Sequence, residues 1–180
     1  NPKRDVQVGS WFAMPFPDKT FDAAYCLGRS FTHNTTIPDA VMSLEEMGRV
    51  IKDDGFIIID LPDPSAGDYK DNIERTKEIA KAKGLKGILP GMITDSPDLQ
   101  HYFDRYAPDA KAFEAIAELA GFHAEKLTEV SYRGPSRNTN VNMYWKLTKE
   151  LKPARMYDHW SGSISDKRAH LIRRIKGRRD

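Results

Sequence analysis

Three patterns predict an α/β domain built on a parallel-type sheet. Two mostly apolar runs of strand length, Phe21–Leu27 and Phe56–Leu61, flank a stretch whose apolar residues recur with the 3.6-residue period of a helix. The connections between them are short, so strand, helix and strand read as a right-handed crossover unit. Farther on, Glu125–Tyr132 and Val141–Thr148 read as two strands joined by the polar turn Gly134–Asn138.

The elements follow in order. Asp5–Gly9 alternates briefly and reads as a short strand. Met14–Asp18 carries Pro15 and Pro17, which forbid regular structure, so it is loop. Phe21–Leu27 is apolar enough to predict burial on both faces. Gly28–Thr36 is polar and turn-rich and leads into Pro38–Asp39. From Asp39 onward Val41, Leu44, Met47, Gly48 and Ile51 share one helical face, with Glu45, Glu46, Arg49 and Lys52 on the other. Asp53–Asp54–Gly55 reads as the stop of that helix, with Gly55 in a left-handed cap, and Phe56–Leu61 as the central strand. Asp68–Lys83 is a charged helix with a thin apolar face of Ile73, Ile79 and Ala80. Leu85–Gln100 reads as loop or a short strand. Ala110–Ala120 is an amphipathic helix that buries Phe113, Ile116, Ala117 and Ala120 and ends at Gly121. After Pro153 an aromatic stretch, Met156–Trp160, precedes a basic helix over Asp166–Lys176.

Composition bounds the function. The 180 residues are the size of one domain, and eight Phe, seven Tyr and three Trp supply a core, which excludes global disorder. No apolar run approaches the roughly 18 residues of a membrane span. The single cysteine, Cys26, excludes an internal disulfide and a cysteine-built zinc site, and no His, Asp and Glu cluster has metal-ligand spacing. The expectation is a soluble, cytoplasmic domain over residues 1–150 with a basic extension over 151–180. That extension holds nine Lys or Arg against three acids, a net of +6 that leaves −4 on the rest. It is either a polyanion-binding arm or a solvated terminal helix. Without aromatics interleaved among its charges, nucleic-acid binding is the weaker reading.

In open α/β sheets ligands sit beyond the carboxyl ends of the strands. Three such ends are legible: Gly9–Ser10–Trp11, Leu27–Gly28–Arg29–Ser30 and Asp60–Leu61–Pro62–Asp63. At the first, Gly9 permits close approach, Trp11 offers a flat face, and Ser10 with its backbone offers hydrogen bonds, a set suited to an adenine ring. At the second, Gly28 lets a ligand pass close to the chain.

The stretch Val8–Asp22, with its Met14–Pro15–Phe16–Pro17–Asp18 core ahead of Phe21–Asp22, resembles the middle of class I S-adenosylmethionine-dependent methyltransferases. Glu45–Phe56 resembles their helix-to-strand junction. More narrowly, Ser10–Trp11 and Cys26–Leu27–Gly28–Arg29–Ser30–Phe31–Thr32–His33 are similar to the glycine and sarcosine N-methyltransferase branch. The resemblance covers residues 5–62, and is topological only over 110–149.

It implies a Rossmann-like sheet with an antiparallel C-terminal strand pair, S-adenosylmethionine as cofactor, and methyl transfer to a small-molecule acceptor, an amine in one reading. Gly9, Ser10, Trp11, Leu27, Gly28, Ser30 and His33 are the implied cofactor contacts. Arg29, His101 and Tyr102 are the implied acceptor contacts, and His33 and Arg29 the candidate catalytic groups. Displacement at a sulfonium methyl needs orientation and dryness more than acid–base chemistry, with a base useful only for a protonated nucleophile. His33 is that base or a residue that hydrogen-bonds loop backbone. His123 and His159 read as surface or structural, His170 as solvated, and Cys26 as an inert core residue.

Two departures stand out. Arg29 replaces the branch's usual Asn, and either clamps a carboxylate or phosphate or blocks a glycine-sized site. The family's glycine-rich loop after the first strand and the acidic end of the second are absent, so the sheet is expected to lack its first strands. The chain then reads as part of a longer polypeptide, ahead of completion by a partner chain, such as a second copy in a homo-oligomer, or a divergent fold. O- and C-methylation, and a non-catalytic methyltransferase-fold subunit acting through the basic tail, are the alternatives.

Overall fold

The computed structural model describes residues 6–85, 89–94 and 105–150. Strand β1 (Phe21–Cys26) runs through a polar turn into helix α1 (Ile37–Val50), and β2 (Ile51–Pro62) returns parallel to β1. Helix α2 (Gly67–Ala82) follows, then a short antiparallel pair, β3 (Met92–Ile93) with β4 (Arg105–Tyr106). Helix α3 (Ala110–Leu119) leads into β5 (Phe122–Arg133) and β6 (Thr139–Lys149). The main sheet has the order β1-β2-β6-β5, with β6 antiparallel to both β2 and β5. The chain is therefore mixed α/β, as its alternating periods predict. Among the described residues, no helix is long and apolar enough to cross a membrane.

Local chemistry sets the helix ends. The Thr36 hydroxyl accepts from the Asp39 amide at 3.2 Å, and Pro38 fits the first turn, where its missing N–H costs nothing. Asp109 caps α3 by accepting from the Ala112 amide at 2.8 Å, and Gly121 ends it in the left-handed region at φ 82°.

The apolar faces of α1 and α3 meet over β2 and β6. Phe113 packs edge-on against Phe31 at 5.7 Å and Trp145 at 5.2 Å between ring centres, and all three are buried. Tyr69 and Ile73 of α2 form a smaller cluster with Ile93 and Ala107. Helix α2 is thus a cover, as its thin apolar face predicts, with Tyr69 and Thr76 buried in addition to Ile73 and Ala80.

Three expectations are corrected. Residues 6–9 form no strand; Val6 and Val8 are 85% and 100% exposed, and only an isolated bridge joins Ser10 to Ala13. Alternation supplies a face, but a strand also needs a ladder with a second strand, and residues 6–9 belong to none of the strand pairs of the described sheets. β1 is not buried on both faces: it is an edge strand with Tyr25 65% exposed.

Gly55, third, is no helix cap. Strand β2 already starts at Ile51, which pairs with Phe21, while Phe56 pairs with Ala23, so Lys52–Gly55 bulge out of register. A Cβ on Gly55 would lie 2.8 Å from the Asp22 carbonyl oxygen; close approach of two backbones demands the glycine.

Candidate functional site

The Leu27–His33 loop leaves the carboxyl end of β1 and divides two cavities. Gly28 and Arg29 are both left-handed, at φ 72° and 61°, which folds the chain sharply before a 3-10 turn over Ser30–His33. The turn is locked from within: the Ser30 hydroxyl donates to the Leu27 carbonyl at 2.8 Å and the Thr32 hydroxyl to that of Arg29 at 2.8 Å. It is anchored from β2, where Asp60, 3% exposed, accepts from the Arg29 amide at 2.9 Å and from the Asn142 side-chain amide at 3.2 Å.

The first cavity, of about 510 Å³, runs along the outer edge of β1. Gly9, Ser10, Trp11, Leu27 and Ser30 line it with Met14, Phe16 and Tyr25. Five of the seven residues singled out as cofactor contacts therefore meet in one place. Trp11, 37% exposed, presents a free aromatic surface. Gly9 is needed because a Cβ there would sit 2.7 Å from the Pro15 ring. The walls are mostly apolar, and none of the lining residues is acidic.

The proline loop that closes this cavity is held by α1. Glu46 accepts from the Met14 amide at 2.7 Å, and Arg49 donates to the Phe16 carbonyl at 2.8 Å and that of Met14 at 3.0 Å. Arg49 also pairs with Asp18 at 2.7 Å, and the hydrogen bonds it donates to Glu46 hold its guanidinium pKa above the ordinary range against the opposing effect of burial. The Glu46–Arg49 spacing was legible in the sequence; its task of fixing the loop that carries the aromatic face was not.

The second cavity, of about 740 Å³, is polar. Gly28, Arg29, Thr32 and His33 line it from the loop, joined by Tyr69, Arg105 and Tyr132 from distant elements. Gly28 and His33, expected at the cofactor, thus share the cavity of Arg29. The Arg29 guanidinium donates to the Tyr132 hydroxyl at 2.6 Å and lies 5.9 Å and 5.7 Å from the ring centres of Tyr69 and Tyr132. Burial opposes its charge, but the two phenols outweigh it and the guanidinium stays above its usual range. Tyr69 and Tyr132 escaped sequence reasoning, because no local pattern marks residues that meet Arg29 from so far along the chain.

Helix α2 is stapled to the β5–β6 hairpin beneath this cavity. Asn140, 2% exposed, accepts from the Asp68 amide at 2.7 Å and donates to the Asp68 carboxylate at 3.1 Å. Cys26 is buried in the core, as expected, and that burial, with the Asp60 carboxylate adding to it, pushes its thiol up to about 12. His123 is exposed. His101, Tyr102, His159, His170 and the whole basic extension 151–180 lie outside the described residues. No group of three or more possible metal ligands occurs among the described residues.

The first 59 residues match the family model described as a methyltransferase domain. None of the curated proteins matches the chain. Among solved structures, a SAM-dependent methyltransferase from Methanosarcina mazei aligns with 81% of this chain and 67% of its own at a TM-score of 0.61 and 15% identity. The YcgJ protein of Bacillus subtilis aligns over 81% and 71% at 0.52 and 13% identity. A SAM-dependent methyltransferase from Clostridium acetobutylicum aligns over 82% and 65% at 0.50 and 10% identity. At these identities the likeness is one of fold, and the fold is the Rossmann-like sheet of the class I methyltransferases. The family match indicates S-adenosylmethionine as the cofactor that goes with it.

Proposed function

We propose that the chain carries the adenine-holding and acceptor-facing parts of an S-adenosylmethionine-dependent methyltransferase that acts on a small molecule. The observation that carries this reading is the convergence of Gly9, Ser10, Trp11, Leu27 and Ser30 on one cavity, separated by one loop from a second, polar cavity. The donor set fits the adenine ring: an accessible indole face, apolar walls, and hydroxyl and backbone groups at Ser10.

The bound cofactor supplies an electrophilic methyl group on a positively charged sulfur. The chain's own residues orient and enclose. Trp11 and the Met14–Phe16 wall hold the flat end, and the loop that Asp60 fixes keeps the two cavities in a set relation. Arg29 and its two tyrosines seat the acceptor. His33, exposed at the edge of the second cavity, takes the proton from a nucleophile that arrives protonated. The branch-level reading, in which an amine is methylated, rests on the Ser10–Trp11 pair and the Cys26–His33 segment.

Calorimetric titration of S-adenosylhomocysteine, followed by a labelled-methyl screen over amines, hydroxy acids and phenols, tests the proposal. Micromolar binding with transfer to any one of these classes supports it. Absence of binding removes the cofactor reading, and binding without transfer removes the catalytic one.

A further inference from the structure

Arg29 is held unusually firmly for a cation of its size. Its backbone adopts the left-handed conformation at φ 61°, which long side chains rarely take and asparagine takes readily. The buried Asp60 carboxylate fixes the position of its amide. Its guanidinium rests against the rings of Tyr69, itself buried, and Tyr132, and donates to the Tyr132 hydroxyl at 2.6 Å. The two phenols engage only part of the five N–H donors of a guanidinium.

A second guanidinium, Arg105, lines the same cavity, and Asp68 is the one carboxylate among its lining residues. Both oxygens of Asp68 already accept from side-chain amides, Asn138 at 3.2 Å and Asn140 at 3.1 Å, so its acceptors are engaged away from Arg29. A pre-positioned guanidinium in a polar cavity, with aromatic faces on either side, recognises a planar or tetrahedral oxyanion.

We propose that the second cavity binds an anionic small molecule, through a carboxylate or phosphate oxygen on the Arg29 guanidinium, and that the methyl acceptor belongs to this class. The word acceptor rests on the methyl-transfer reading above; the anion site stands or falls by binding alone.

Benzoate and phenyl phosphate, with benzamide as the neutral match for benzoate, are titrated into the chain by calorimetry, and S-adenosylhomocysteine is titrated separately. Arg29→Asn removes the charge while accepting the left-handed backbone, and Arg29→Lys keeps the charge but loses the fork. The expected result is binding of at least one anion about tenfold or more tighter than benzamide, since a charge-assisted hydrogen bond is worth about that factor. The tighter of the two anions identifies the oxyanion. Arg29→Asn abolishes the preference, Arg29→Lys reduces it several-fold, and S-adenosylhomocysteine binds all three forms alike.

Equal affinities for anions and benzamide, no measurable binding of either anion, or an undiminished preference in Arg29→Asn overturns the proposal. If Arg29→Asn does not keep the wild-type circular dichroism, an undiminished preference in Arg29→Lys overturns it instead. Anion preference without S-adenosylhomocysteine binding refutes the methyl-transfer reading and leaves the anion site standing.

Discussion

Arg49 and Glu46, one turn apart on α1, form a two-pronged pair, with Nε donating at 3.0 Å and Nη2 at 2.7 Å to the two carboxylate oxygens. Each then reaches outward to the backbone of the Met14–Phe16 loop. The pair is a brace, set into the helix, for a loop whose prolines prevent it from bracing itself.

Arg49→Lys keeps the charge but loses the fork and the carbonyl contacts. The expected cost is about 1–3 kcal/mol in urea unfolding. Affinity for S-adenosylhomocysteine falls as well, although neither Arg49 nor Glu46 lines the first cavity. Unchanged affinity in a destabilised variant would separate the loop from the cofactor site.

Trp11→Ala removes a partly exposed ring that stacks on no other aromatic side chain among those described. Stability changes little, while S-adenosylhomocysteine binding weakens by about 1–3 kcal/mol, the usual worth of an aromatic face to a base. Calorimetry reads the second quantity and thermal unfolding the first.

Asp60→Ala leaves the partly buried Arg29 amide and Asn142 side chain without their acceptor. A loss of about 1–3 kcal/mol in unfolding free energy is expected, read from urea denaturation. Asp60→Asn, whose remaining carbonyl oxygen still accepts, costs less, and equal losses in the two variants would argue against this hydrogen bonding as the cause.

Cys26 sets a pH dependence. Its folded thiol titrates at about 12, above the ordinary value of 9.0. The stability gained by keeping it neutral is complete below pH 9 and declines as pH rises from there through 12. Wild-type protein therefore loses more stability over that window than Cys26→Ala, read as the difference between the two unfolding midpoints at each pH. At pH 8 the native thiol does not react with a disulfide reagent until the chain is unfolded.

Much of the fold was legible because it rests on local periodicity. Phe113, Ile116 and Ala117 mark α3, the Phe56–Leu61 run marks the central strand, and the β5–β6 hairpin declares itself through its turn. What stayed hidden is non-local. Nothing in the sequence says that β6 inserts between β2 and β5, or that Lys52–Gly55, which reads as a helix stop, is instead a bulge set by the register of a neighbouring strand. The site divides in the same way. Leu27–Ser30 was legible as a strand end and Gly9–Trp11 as a ligand-facing segment, although no strand leads into it, whereas Tyr69, Arg105 and Tyr132 reach the second cavity only through the folded topology.

The loop after β1 is a thin wall with two differently furnished sides: Leu27 and Ser30 line one cavity, and Gly28, Arg29, Thr32 and His33 the other. On the reading proposed above, preference for the methyl acceptor and affinity for the methyl donor are separable traits written in neighbouring letters. On that same reading, a single exchange at position 29 would alter acceptor preference and leave the donor side intact, so such a scaffold would diversify by redecorating one side of a partition rather than by rebuilding the house.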